Sequence, residues 1–114
     1  MDEAAILTAR RAILEAAQDM LAGKLSYIEG SRKILFVRNA AKLDEWDPDL
    51  VPFLGIHSET DSVPLGEARA YWQEAALKAL EAEIAKKELW AKQFGEAHCR
   101  NLIERFSKLG RLEN

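Results

Sequence analysis

At 114 residues, 48% hydrophobic and 31% charged, the chain fits one domain, residues 1–114, with one core. Its single cysteine excludes an internal disulfide and gives no reason to place the protein in an oxidising compartment. A net charge of −3 and a pI near 5.4 argue against sequence-independent binding of nucleic acid or of an anionic membrane, both of which need a basic surface.

The N-terminus opens with Asp2 and Glu3 and carries Arg10 and Arg11 where a signal peptide needs its apolar run. No apolar stretch approaches the ~20 residues of a membrane span, so the expected location is the cytoplasm. The first helix is predicted from Glu3 to Ala22, with Asp2 as N-cap and Glu3 in the dipole-favoured first turn. Its apolar positions form paired stripes, Ile6–Leu7, Ile13–Leu14 and Met20–Leu21. Ala9, Ala16 and Ala17 fill the gaps and admit a close neighbour, and Gly23 stops the helix.

Between Ser26 and Lys42 the apolar run Ile34–Val37 suits a buried strand or a helix covered on most sides. Ser26 with Glu29 three residues on has the form of a capping box, Asn39 to Lys42 are poor strand residues, and no second β-rich run offers a sheet partner. A buried helix from Ser26 to Lys42 is therefore expected. Gly30 inside it costs ~1 kcal/mol relative to Ala and marks either a close helix crossing or a later start.

The connection Leu43–Leu65 is long for a compact domain. Asp47–Pro48 reads as N-cap and first residue of a short helix, Pro48 to Leu54, limited by Pro52 and ended by Gly55. His57 to Arg69 then reads as a polar, turn-rich segment leading into the last helix. From Gly66 to Leu109 one apolar phase is kept through Ala68, Trp72, Ala76, Leu80, Ile84, Ala91, Phe94, Leu102 and Phe106. The opposite face places Glu74 before Lys78, Glu83 before Lys87, Glu88 before Lys92 and Glu104 before Lys108, the favourable order for exposed pairs. Gly95 and the stretch Ala79–Glu83 are the places where this helix could bend or break. Its length exceeds what one domain of this size needs, which points to a bend or to a homodimer contact through Trp90 and Phe94.

The fold expected from these elements is all-α: an irregular antiparallel bundle of three main helices and one short one, the last helix very long and kinked at most near Gly95.

Motifs with chemistry are few. His98 and Cys99 are adjacent on a helix and diverge by about 100°, so they read as core residues and not as ligands of one ion. His57, Ser58, Glu59 and Asp61 lie close in sequence, but a hydrolytic triad is built in space from distant segments and there is no Gly-x-Ser-x-Gly elbow. Asp44, Glu45, Asp47 and Asp49 lack the glycine and the final glutamate of an EF-hand loop. The six glycines make no phosphate-binding pattern, and Arg100, Arg105, Lys108 and Arg111 are interrupted by acids. No catalytic residue, metal or cofactor is assigned.

What remains is charge and aromatic placement. Leu43 to Ser62 holds six acids (Asp44, Glu45, Asp47, Asp49, Glu59, Asp61) and no Lys or Arg, whereas Lys24 to Lys42 holds five bases against Glu29. Trp46 lies within the acidic run, and Trp72 follows Arg69. The expected binding residues are Asp44, Trp46, Asp47, His57, Glu59, Asp61, Arg69 and Trp72, meeting a basic protein partner. A non-catalytic interaction module follows, in its concrete form an immunity- or antitoxin-like protein covering a basic nuclease. Alternatives are a small hydrolase or metal-dependent enzyme using His57, Glu59 and Asp61, and a small-ligand regulator with a pocket near Arg69 and Trp72. Ile56 to Asp61, Pro64, Gly66, Arg69 and Trp72, with Glu29–Gly30, Arg32 and Cys99–Arg100, also resemble a family of small bacterial helical proteins of unknown function. That resemblance spans most of the chain and implies a bacterial cytoplasmic helical protein, without an activity or a site.

Overall fold

Residues 2–62 and 74–108 are described by the computed structural model, and among them the chain forms four helices and no strand. The helices pack as an irregular antiparallel bundle, as the apolar periodicities predict. The Gly66–Gln73 part of the predicted last helix, with Arg69 and Trp72, and its end at Leu109 lie outside the described residues.

α1 spans Glu3–Leu21, and the Asp2 carboxylate accepts the Ala4 N–H at 2.9 Å. Gly23 at φ +77° closes it: its N–H donates to Met20 O at 3.2 Å and the Lys24 N–H to Asp19 O at 2.9 Å. These two bonds satisfy carbonyls the helix leaves over, and glycine makes the reversed turn at little cost. The buried face is Ala9, Ile13, Ala16, Ala17 and Met20. Ile6, Leu7, Leu14 and Leu21, expected in the main stripes, are only half-buried. The small residues take the interior because a neighbouring helix approaches them closely.

α2 spans Tyr27–Val37, with Ser26 Oγ accepting the Glu29 N–H at 3.0 Å. It is helical through Ile34–Val37, so the strand alternative is set aside, but it stops five residues before Lys42. Lys42 adopts φ +60°, its N–H donates to Asn39 O at 3.1 Å and the Leu43 N–H donates to Arg38 O at 3.2 Å. The turn after Val37 thus ends with the same reversal as α1, made here by a lysine. The helix is covered on most sides, and what stays open is one stripe of Glu29, Lys33 and Phe36, the last 88% exposed.

α3 spans Val51–Thr60, later than the expected Pro48–Leu54. Pro52 lies in its first turn, where a missing N–H costs nothing, so the proline opens the helix it was expected to limit. Gly55 sits inside it, and the expected turn segment from His57 is its C-terminal half. α4 spans Glu74–Ser107 as one continuous, bent helix through both Ala79–Glu83 and Gly95. Among the residues whose burial is described, its buried ones are Ala91, Gly95, Cys99, Leu102 and Phe106, all in the second half.

Two glycines set the closest crossings. A Cβ on Gly30 would overlap Met20 Sδ and stand 2.5 Å from Met20 Cγ, which fixes where α2 crosses α1. A Cβ on Gly95 would stand 3.1 Å from Ile56 Cδ1 and 3.2 Å from Tyr27 Cδ2, so Gly95 marks a crossing of α4 with α2 and α3. The core around them joins Ile13, Met20, Tyr27, Ile34, Phe53, Ile56, Cys99 and Leu102.

Polar ties complete the frame. Arg10 Nε donates to Ala41 O at 3.0 Å, and Arg32 donates to the Thr60 carbonyl at the end of α3. Glu88 of α4 accepts the N–H of Tyr27 at 2.8 Å and of Ile28 at 3.1 Å. Its carboxylate therefore caps α2 from another helix and is not given to the exposed pair with Lys92 that the spacing predicts.

Candidate functional site

The acidic connection folds as a chain of short turns held by its own side chains. Asp44 Oδ1 accepts the Trp46 N–H at 2.8 Å, and the Asp47 N–H returns to Asp44 O at 3.0 Å. Asp47 Oδ1 accepts the Asp49 N–H at 3.0 Å, and the N–H groups of Leu50 and Val51 return to Asp47 O. These aspartates take the turn positions their short acceptors favour.

Arg105 of α4 clamps this loop. Its Nη1 donates to Asp47 Oδ1 at 2.9 Å and to Asp49 Oδ2 at 2.8 Å, while the guanidinium lies 5.1 Å from the centre of the Phe106 ring. Partial burial alone raises the Asp47 carboxyl pKa. The hydrogen bond and charge of Arg105 and the Asp49 amide outweigh this and hold it below its ordinary value. The Arg105 guanidinium is held correspondingly above its own, chiefly by the Asp47 bond.

Two of the six acids are thus ion-paired within the chain, and Asp47, expected to meet a partner, is one of them. Asp44 and Glu45 remain exposed, and between them and the clamp stands Trp46, 70% exposed. Trp46 thus stands on a turn whose backbone is tied on both sides, by the Asp44 carboxylate and by the Arg105 clamp.

His57, Glu59 and Asp61 do not converge in the manner of a catalytic group. His57 and Glu59 belong to α3, where two residues diverge by about 200°. His57 is half-buried with its Nδ1 enclosed and not hydrogen-bonded, whereas Glu59 and Asp61 are exposed. Glu59 lines an open cleft of about 310 Å³ with Lys86, Lys87 and Trp90. Among the described residues no three His, Cys, Asp or Glu side chains stand close enough to hold one metal ion.

Trp90 and Phe94 are 39% and 43% exposed and stack on each other, ring centres 5.5 Å apart. Phe94 also covers Gly55, 3.8 Å from where a Cβ would stand, and lies 5.9 Å from the His98 ring. Cys99, read as a core residue, is fully buried. Its thiol faces the buried Tyr27 hydroxyl, which lacks a hydrogen bond of ordinary geometry. Burial pushes the Cys99 thiol up to about 12, Glu96 adding to the effect, and burial likewise drives the Tyr27 phenol well above its ordinary value.

Sequence reasoning missed Arg105 as the partner of the acids, because the contact spans 58 residues and arginine spacing on α4 suggested only a solvated face. It missed Phe36 because a run of four apolar residues gives no sign of which one points outward. No helix among the described residues is long and apolar enough to cross a membrane. No family model, curated protein or solved structure matches the chain.

Proposed function

We propose that the protein is a non-catalytic interaction module of the cytoplasm that docks on a basic protein through the turn Asp44–Glu45–Trp46. The observation that carries this reading is the 70% exposure of Trp46 on a loop clamped by Arg105. Trp46 supplies the desolvated anchor, and Asp44 and Glu45 supply the charge that speeds encounter with a positive surface and selects against a negative one. Because Arg105 pairs with both Asp47 and Asp49 and offsets one of their two charges, the free acidic surface is smaller than the sequence alone gives. The immunity- or antitoxin-like form of the proposal makes the partner a basic nuclease, with support from size and acidity.

The test is affinity capture from an extract of the protein's own organism, at low and moderate salt, with the native chain and Trp46→Ala side by side. The expected result is a basic protein held by the native chain, released as salt rises, and held at least about tenfold more weakly by the variant. Capture of no basic partner, or equal capture by Trp46→Ala at unchanged melting temperature, removes the proposal.

A further inference from the structure

The face formed by α1 and α2 carries a groove of about 240 Å³ whose walls differ in character. The α1 wall presents Ala12 and Ala16 with Glu15 and Asp19, and the α2 wall presents Lys33, Phe36 and Val37. Phe36 stands at the rim, 88% exposed, more than any other large apolar side chain among the described residues. No ion pair joins Lys33 to Glu15 or Asp19 within the chain, among the described residues. The patch therefore holds a projecting ring and a small-residue hollow, and a cation and two anions, on facing walls.

We propose that a second copy of this chain docks on this groove through a two-fold interface. Each Phe36 enters the Ala12–Ala16 hollow of the other copy, and each Lys33 meets Glu15 and Asp19 across the contact. A two-fold axis brings the same patch against itself, so the patch must contain both halves of every contact it makes. This one does so in shape and in charge. A foreign partner requires only one half of each, a nucleic acid or anionic bilayer is repelled by the two acids, and the pair Trp90–Phe94 already covers part of its surface by mutual stacking and by Gly55. The inference uses no residue of the Trp46 turn and stands independently of the partner proposed there.

The experiment is sedimentation equilibrium of the full chain over a range of concentrations, with thermal unfolding to confirm that each variant is folded. The native chain is expected to dimerise reversibly. Phe36→Ala is expected to raise the dissociation constant about a hundredfold, roughly a factor of ten from each copy, while a Trp90→Ala, Phe94→Ala double variant leaves it unchanged. Charge exchange supplies the decisive arm. Lys33→Glu alone and Glu15→Lys with Asp19→Lys alone are each expected to be monomeric, because each places like charges together. Mixed one to one, they are expected to form a heterodimer, because both halves of the contact are restored. A native chain that stays monomeric, a dimer indifferent to Phe36→Ala, a dimer lost on removing Trp90 and Phe94, or a mixture that remains monomeric overturns the proposal.

Discussion

Lys42 holds a backbone conformation that costs an L-residue roughly 1–2 kcal/mol and a glycine little. Lys42→Gly is therefore expected to stabilise the fold by about 0.5–1 kcal/mol, seen as a melting temperature a few degrees higher. Gly30 is the opposite case. Alanine there gains ~1 kcal/mol of helix propensity but drives a methyl group into the buried Met20 side chain, an overpacking worth about 1–3 kcal/mol. Gly30→Ala is expected to destabilise, and because Met20→Ala removes the atoms the methyl meets, the double variant is expected to lose less than the sum of the two single losses in a double-mutant denaturation cycle. Cys99 lies where neither water nor reagent reaches it. Its thiol is expected to resist a disulfide exchange reagent in the native protein and to react stoichiometrically in guanidinium. Since the folded thiol titrates near 12 and the unfolded one near about 8.5, the folded state binds the extra proton between these values. Stability is accordingly expected to be intact below about pH 8.5 and to decline as pH rises above it.

At the scale of elements, the ends of the helices depend on partners both near and far in sequence. Asp2, Ser26 and Gly23 act within a few residues of where they stand, and all three roles were legible from residue type and spacing. The end of α2 was not, because helix propensity favours Asn39–Lys42 continuing and nothing in a lysine announces a reversed turn. α3 was displaced for a related reason: Pro52 can open a helix or forbid one, and the choice depends on Leu50 and Phe53 being drawn into the core. Glu88 was read as half of an exposed pair, yet it receives two amides of α2 about 60 residues away. Glu88→Ala leaves both amides without that acceptor and is expected to cost about 1–3 kcal/mol in urea unfolding, with Glu88→Gln losing less. The Arg105 clamp has a pH signature. Asp47 is held below its ordinary pKa in the fold, so its contribution is present above about pH 4 and is lost as pH falls through the folded value. Arg105→Ala is expected to flatten that acid limb and to make the Trp46 loop more open to proteolysis.

The molecule is elongated, 53 Å along its longest axis against 27 and 25 Å across, and the 34 residues of α4 have a contour length of about 51 Å. The all-α architecture and the dominance of one long helix were readable from apolar periodicity, because those features are repeated over many residues. The proposed binding surfaces were readable only in outline, because exposure is decided by which side of a helix meets a neighbour. Trp46 and Phe36 illustrate both outcomes: the first stood out through its acidic setting, the second was hidden in an apolar run. The way α4 closes the structure also orders events in the cell. Translation delivers α1, α2 and α3 before the helix that brings Cys99, Leu102 and Phe106 to the core and Glu88 to the bare amides of Tyr27 and Ile28. Until that helix emerges, the growing polypeptide has an unroofed interior and two unanswered amides at the start of its second segment, so a nascent chain halted at Ser62 is a natural client for chaperones and proteases.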